Sequence, residues 1–220
     1  MFRTILQPCR AGVPSRSASL LGGALLLAAA PAAAQSVGGS GYGALVNASG
    51  VVQQSSVATL PSGGGYSVGD DIAFGVPNVV QSESLTNVIT GGIDTTRASA
   101  QASSSVERVV VLNGLIRADI VAAVASSFWN TTGAASDADG SGFTGLVVNG
   151  VAFTDDPAPN TRIDLPGVGF AVLNEQATTG DGITSSAITV NMIHVVLQDA
   201  ITGAQTGEII VGSASSRVGS

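Results

Sequence analysis

The chain has 220 residues with one cysteine, one histidine and a formal net charge of −7, and its fifteen acids face eight basic residues that are all arginine. So acidic a surface repels phosphate backbones and anionic lipid heads, which excludes nucleic-acid and membrane-surface binding as its trade. One histidine and one cysteine also fall short of an ordinary zinc ligand set.

The first residues differ from the rest. Arg3, Arg10 and Arg16 form a basic region, Leu20 to Ala30 an apolar stretch, and Pro31-Ala32-Ala33-Ala34 a small-residue site. This is the three-part pattern of a secretory signal peptide cut before Gln35. The apolar stretch is shorter than the ~20 residues a membrane span needs. Cys9 lies upstream of it, out of place for a lipid-bearing cysteine. Removing residues 1–34 leaves 186 residues, with five arginines against fifteen acids and a formal charge of −10. That length suits one domain with a real core. With no cysteine left, the exported domain must rest on packing and hydrogen bonding. The mature chain is expected to contain no membrane span.

Residues 35–41 (Gln-Ser-Val-Gly-Gly-Ser-Gly) read as a flexible lead-in, followed by a single all-β domain over 42–220. Gly, Ser, Thr, Val and Ala are abundant there, the habit of strands and turns. Tyr42–Val52 and Ser55–Leu60 are early strand candidates. Val80–Thr90 is the best helix candidate. Ala98–Ser103 alternates small apolar with polar residues and runs on into Val106–Leu112. Asn113-Gly114 should turn this run back onto Leu115–Ile120, because Asn and Gly both accept positive φ. Asn149-Gly150 repeats the signal between Gly145–Val148 and Val151–Thr154. Pro166-Gly167 joins Thr161–Asp164 to Phe170–Gln176. Ile188–Leu197 and Gly207–Ser213 pair through Thr202-Gly203-Ala204. Short strands with regular turns predict an antiparallel β-sandwich or jelly-roll-like domain, with a β-helix as the alternative architecture.

Candidate chemistry is sparse. His194, in Asn191-Met192-Ile193-His194, has no cysteine beside it and no Gly-x-Ser-x-Gly elbow to serve; it reads as a partly buried histidine with one hydrogen bond. Asp137, Asp139 and Ser141 stand at positions one, three and five of the first half of a calcium loop, with Gly142 at position six for the sharp turn. Val148 stands where the closing Glu should be, so Ca2+ would need Asp155 or Asp156 in addition. Asp70-Asp71 and Asp155-Asp156 raise acid-pair hydrolysis, and Glu175-Gln176 raises peptide hydrolysis. Trp129 at a strand end is the candidate stacking platform for a sugar, set against a core plug with one wet edge.

The second half of the chain resembles the choice-of-anchor P family of bacterial exported proteins. The resemblance is carried by Ile116-Arg117-Ala118-Asp119, Gly145–Gly150, Pro159–Gly167, Val172–Gln176, Ile188–Val195 and Gly207–Ala214, and spans about Thr95 to Val218. It implies a secreted or surface-displayed β-rich domain. Arg117, Asn149, Arg162, Asn174, Glu175 and His194 fall in its motifs, and no catalytic role is carried over to them. The family is named for varied C-terminal anchors. The segment Ser215–Ser220 carries neither an apolar helix nor a wall-sorting motif, so release, periplasmic retention or non-covalent attachment is expected.

The sequence therefore predicts a secreted, extracellular or periplasmic structural or interaction domain, of matrix or adhesion type, without catalytic activity or cofactor. Extracellular proteins or polysaccharides are its expected partners. The alternatives are a calcium-dependent carbohydrate-binding module and a secreted hydrolase using a carboxylate pair.

Overall fold

Period-two alternation organises the structure. In residues 97–111 the inward positions Ala98, Ala100, Ala102, Ser104 and Val106 are buried, while the residues between them face outward. A computed structural model describes residues 35–48 and 50–220. The expected signal segment, 1–34, and Cys9 within it lie outside those residues.

Seventeen strands follow in order. They are β1 (Ser36–Ala48), β2 (Val51–Gln54), β3 (Val57–Thr59), β4 (Gly65–Asp71), β5 (Phe74–Val76) and β6 (Val80–Ser82), then β7 (Leu85–Ile93), β8 (Arg97–Val111), β9 (Ile116–Asn130), β10 (Gly133–Asp137), β11 (Gly142–Thr144) and β12 (Val147–Val148), and finally β13 (Val151–Ala152), β14 (Thr161–Leu165), β15 (Gly169–Gly180), β16 (Ser185–Gln198) and β17 (Gln205–Gly219). One 3-10 turn, Leu112–Gly114, is the only helical element among the described residues.

The strands form two antiparallel sheets. A seven-stranded sheet runs β14-β15-β16-β17-β1-β2, with β3 also on β1. A ten-stranded sheet is centred on the β8–β9 hairpin, with β7 and β4 on one flank, β6 and β5 on another, and β10 to β13 grouped about β9. The strands β1 and β17 pack over β8 and β9, and one continuous core lies between the sheets. This is the β-sandwich expected. Antiparallel pairing in every ladder rules out the β-helix alternative. No helix among the described residues is long and apolar enough to cross a membrane.

The hairpins follow the turn chemistry. Asn149 (φ 50°) and Gly150 (φ 76°) make the two-residue turn that pairs Val148 with Val151. The Asn113-Gly114 hairpin also forms, but Val111 pairs with Ile116, so four residues rather than two make the connection.

Three expectations need correction. Residues 36–41, expected as a flexible lead-in, are the first half of β1, zipped to β17 from Ser36↔Gly219 onward. Gly39 and Gly41 sit there because added Cβ atoms would meet Ile89 at 3.1 and 3.2 Å. Tyr42–Val52 is not one strand, because β1 ends at Ala48 and β2 folds back upon it. The helix expected at Val80–Thr90 is instead β6 and most of β7. There Leu85, Asn87 and Ile89 point inward and Thr86, Val88 and Thr90 outward. Asn87 hid the alternation: it is fully buried and its Nδ2 donates to the Ser56 and Gly69 carbonyls, at 3.0 and 3.1 Å.

One irregularity positions the candidate site. Asn174 (φ 50°) and Gly212 (φ 68°) flank Met192 across three adjacent strands. There the alternation slips by one residue, so Met192 and Ile193 are both buried. The slip leaves His194 on the same outer face as Asn191, although the two are three residues apart.

Candidate functional site

The outer face of the seven-stranded sheet carries a polar row. Tyr42 pairs with Ser213, Ser213 with Asn191, and Asn191 with Glu175, across four neighbouring strands. Ser213 Oγ donates to Asn191 Oδ1 at 2.8 Å. Asn191 Nδ2 donates to Glu175 Oε2 at 2.8 Å. The same oxygen accepts from His194 Nδ1 at 3.0 Å.

On the other side of the imidazole, Nε2 lies 3.4 Å from Glu208 Oε2. That separation is within ion-pair range, but the two atoms are not aligned for a hydrogen bond. The His194 side chain is 17% exposed and those of Glu175 and Glu208 30% each. Hydrogen bonding to Glu175, strengthened by the charges of Glu175 and Glu208, raises the His194 pKa against the opposing effect of burial. The bond from His194, with help from Asn191, lowers that of Glu175. Burial raises the Tyr42 phenol, and the two glutamates reinforce it.

Chemically this cluster is closed. The imidazole fills the space between the two carboxylates, which therefore do not face each other across a substrate, as glycoside hydrolysis requires. The two carboxylates also approach opposite ring nitrogens rather than converging. Among the described residues no three His, Cys, Asp or Glu side chains are placed to hold a metal ion.

The other candidates take no part in this cluster's hydrogen bonds. Gln176 alternates away from Glu175 and donates to Asn174 Oδ1 at 2.9 Å. The Asp71 carboxylate accepts from Ser56 N and Oγ, at 2.6 and 2.9 Å. At the expected calcium loop, Asp137 Oδ1 accepts from Asp139 N at 3.2 Å in a local turn. The Ser141 hydroxyl accepts from Val124 N at 2.8 Å and donates to Val124 O at 3.0 Å, which ties the loop to β9. Asp155 meets this loop through its backbone carbonyl, which accepts from Phe143 N.

Trp129, weighed as a stacking platform against a core plug with one wet edge, packs against the core, and its Nε1 donates to Ile183 O at 3.1 Å. Its neighbour Phe128 takes the outward position of β9 and is 46% exposed. Phe128 borders a shallow groove on the outer face of the ten-stranded sheet, with Thr90, Gln101 and Ser126.

A larger open groove, of about 540 Å3, lies on the outer face of the seven-stranded sheet, beside the polar row. Ser40, Thr189, Ser215 and Arg217 line it. Sequence reasoning missed this groove and the polar row. Ser40 and Ser215 are 175 positions apart, yet their hydroxyls meet at 3.0 Å. Only the β1–β17 register, which no local pattern announces, brings them together.

The fold and these two outer faces define an antiparallel β-sandwich with polar sheet surfaces and an acid–imidazole cluster whose members engage one another. Comparison of the chain with protein-family models, curated proteins and solved structures finds no match.

Proposed function

We propose that the protein is a secreted or cell-exterior interaction domain that binds and does not catalyse, of the kind implied by its resemblance to the choice-of-anchor P family. One observation carries this reading. The most concentrated titratable groups, Glu175, His194 and Glu208, are engaged with one another and with Asn191, while the groove beside them is open and lined by groups that recognise rather than react. The amino-terminal pattern of Arg3 to Ala34 supports export. The acidic composition supports solubility outside the cell and disfavours nucleic acid.

Co-sedimentation with wall and exopolysaccharide preparations tests the reading. The protein should be retained in the pellet while reducing ends and free peptide stay at background. Release of either product by the wild type, abolished in Glu175→Gln, would overturn it in favour of a hydrolase.

A further inference from the structure

We propose that the groove on the outer face of the seven-stranded sheet binds an acidic polysaccharide, a chain of uronic-acid sugars, with Arg217 holding a carboxylate. The inference rests on the reading of the protein as a cell-exterior binding domain and names the ligand class.

Charge is the first argument. None of the fifteen acids of the chain lines the groove, and Arg217 does. In a domain where acids outnumber arginines threefold, an acid-free concavity with one guanidinium is the place where an anion is locally favoured. Arg217 makes no ion pair with any described residue, so its planar fork of donors is unspent. That fork suits bidentate recognition of a carboxylate.

The seat of Arg217 is specific. Its side chain lies along Gly38, where an added Cβ would come within 2.5 Å of Nε and 3.1 Å of Cζ. Gly38 and Arg217 are cross-strand partners, so the glycine leaves the guanidinium a flat bed on the sheet.

The lining selects the rest of the ligand. The middle of the floor is formed by β16 and β17, which are paired on both sides, so their backbone donors and acceptors are already spent in ladders. An extended peptide added by main-chain pairing needs a free strand edge. Over these strands the surface offers side chains, and the lining as a whole presents chiefly the hydroxyls of Ser40, Thr179, Thr189 and Ser215 above the small residues Ala177 and Ala187. Hydroxyls that donate and accept match a polyhydroxylated ligand. The volume, about 540 Å3, lies within the ~300–1,000 Å3 of small-ligand sites.

The test is calorimetric titration of the purified protein with trigalacturonate and, separately, with neutral maltotriose at low salt. Trigalacturonate should bind saturably, and maltotriose at least tenfold more weakly. Arg217→Gln should lose at least tenfold for trigalacturonate while melting at the wild-type temperature. Gly38→Ala, which displaces the guanidinium, should lose severalfold. Arg97→Gln, the same charge removed from the other sheet, should bind as the wild type does. Equal binding by Arg217→Gln, equal binding of the neutral sugar, or no saturable binding to the wild type would each overturn the proposal. None of these results touches the co-sedimentation test, which reads retention whatever the sugar chemistry.

Discussion

Glu175→Gln should destabilise the protein in a pH-dependent way that reports on the His194 cluster. The substitution keeps the side-chain shape but removes the charge that accepts from both Asn191 and His194. An exposed ion pair is worth about 0–1 kcal/mol, whereas removing one partner of a fully buried pair costs about 3–5 kcal/mol. With His194 17% and Glu175 30% exposed, the expected cost is intermediate, about 2 kcal/mol. In a domain of this length that lowers Tm by about 4–8 °C.

The sign with pH follows from both partners. The His194 pKa is raised above 6.5 by folding, so its contribution is complete below 6.5 and fades as pH rises through the folded value. The Glu175 pKa is lowered below 4.5, so its contribution is complete above 4.5 and fades as pH falls through the folded value. One bond is seen from both ends, so the gap between wild type and variant should be widest between pH 4.5 and 6.5. The alkaline side is diagnostic. His194 is the sole histidine of the chain, and the Tyr42 phenol titrates above 10. On the acid side, Asp94, Asp181 and Asp199, whose pKa values backbone and side-chain donors lower, also lose stabilisation. Thermal melts of both proteins at about pH 5.5 and about pH 9 should show the gap shrinking to less than about 1 kcal/mol at the higher pH. An unchanged gap, or a variant as stable as the wild type at the lower pH, would refute the reasoning.

Further predictions concern the fold and the sequence-read sites. Trp129→Phe should cost about 1 kcal/mol for the lost bond to Ile183, while Phe128→Ala should change urea stability by less than about 0.5 kcal/mol because it is a surface position; the reverse order would contradict the strand phase. Gly212→Ala should cost about 1–3 kcal/mol in urea unfolding, since the residue has φ 68° and an added Cβ would meet Val121 Cγ1 at 2.8 Å. Millimolar Ca2+ or EDTA should leave Tm unchanged, because Ser141 is committed to Val124; a clear rise with Ca2+ would show that the Asp137 loop binds it.

Much of the architecture was legible because it is written locally. Alternation declared β8, and Asn149-Gly150 declared its hairpin through its positive φ angles. The failures share a cause, which is information held by distant partners. Asn87 reads as a polar, outward residue until the Ser56 and Gly69 carbonyls that take up its Nδ2 are in place. The glycines of 35–41 looked flexible, yet Gly39 and Gly41 are there because Ile89 presses on the strand. Trp129 sits in the core as the plug reading had it, but β9 runs ten residues beyond the strand read from the sequence, and the phase that sends Phe128 outward depends on the slip near Arg108 (φ 50°) and Asp119. His194 was recognised as partly buried with one hydrogen bond, and its partner Glu175 was singled out for a different chemistry. The groove could not be read at all, since its walls come from strands at opposite ends of the chain.

The central claim is that this β-sandwich works outside the cytosol after its leader is removed. Fractionation of the producing cell with mass spectrometry of the protein's N-terminus tests that directly. The account predicts a chain beginning at Gln35 in the periplasmic or external fraction; a chain that keeps residues 1–34 and sits in the cytosol would contradict it.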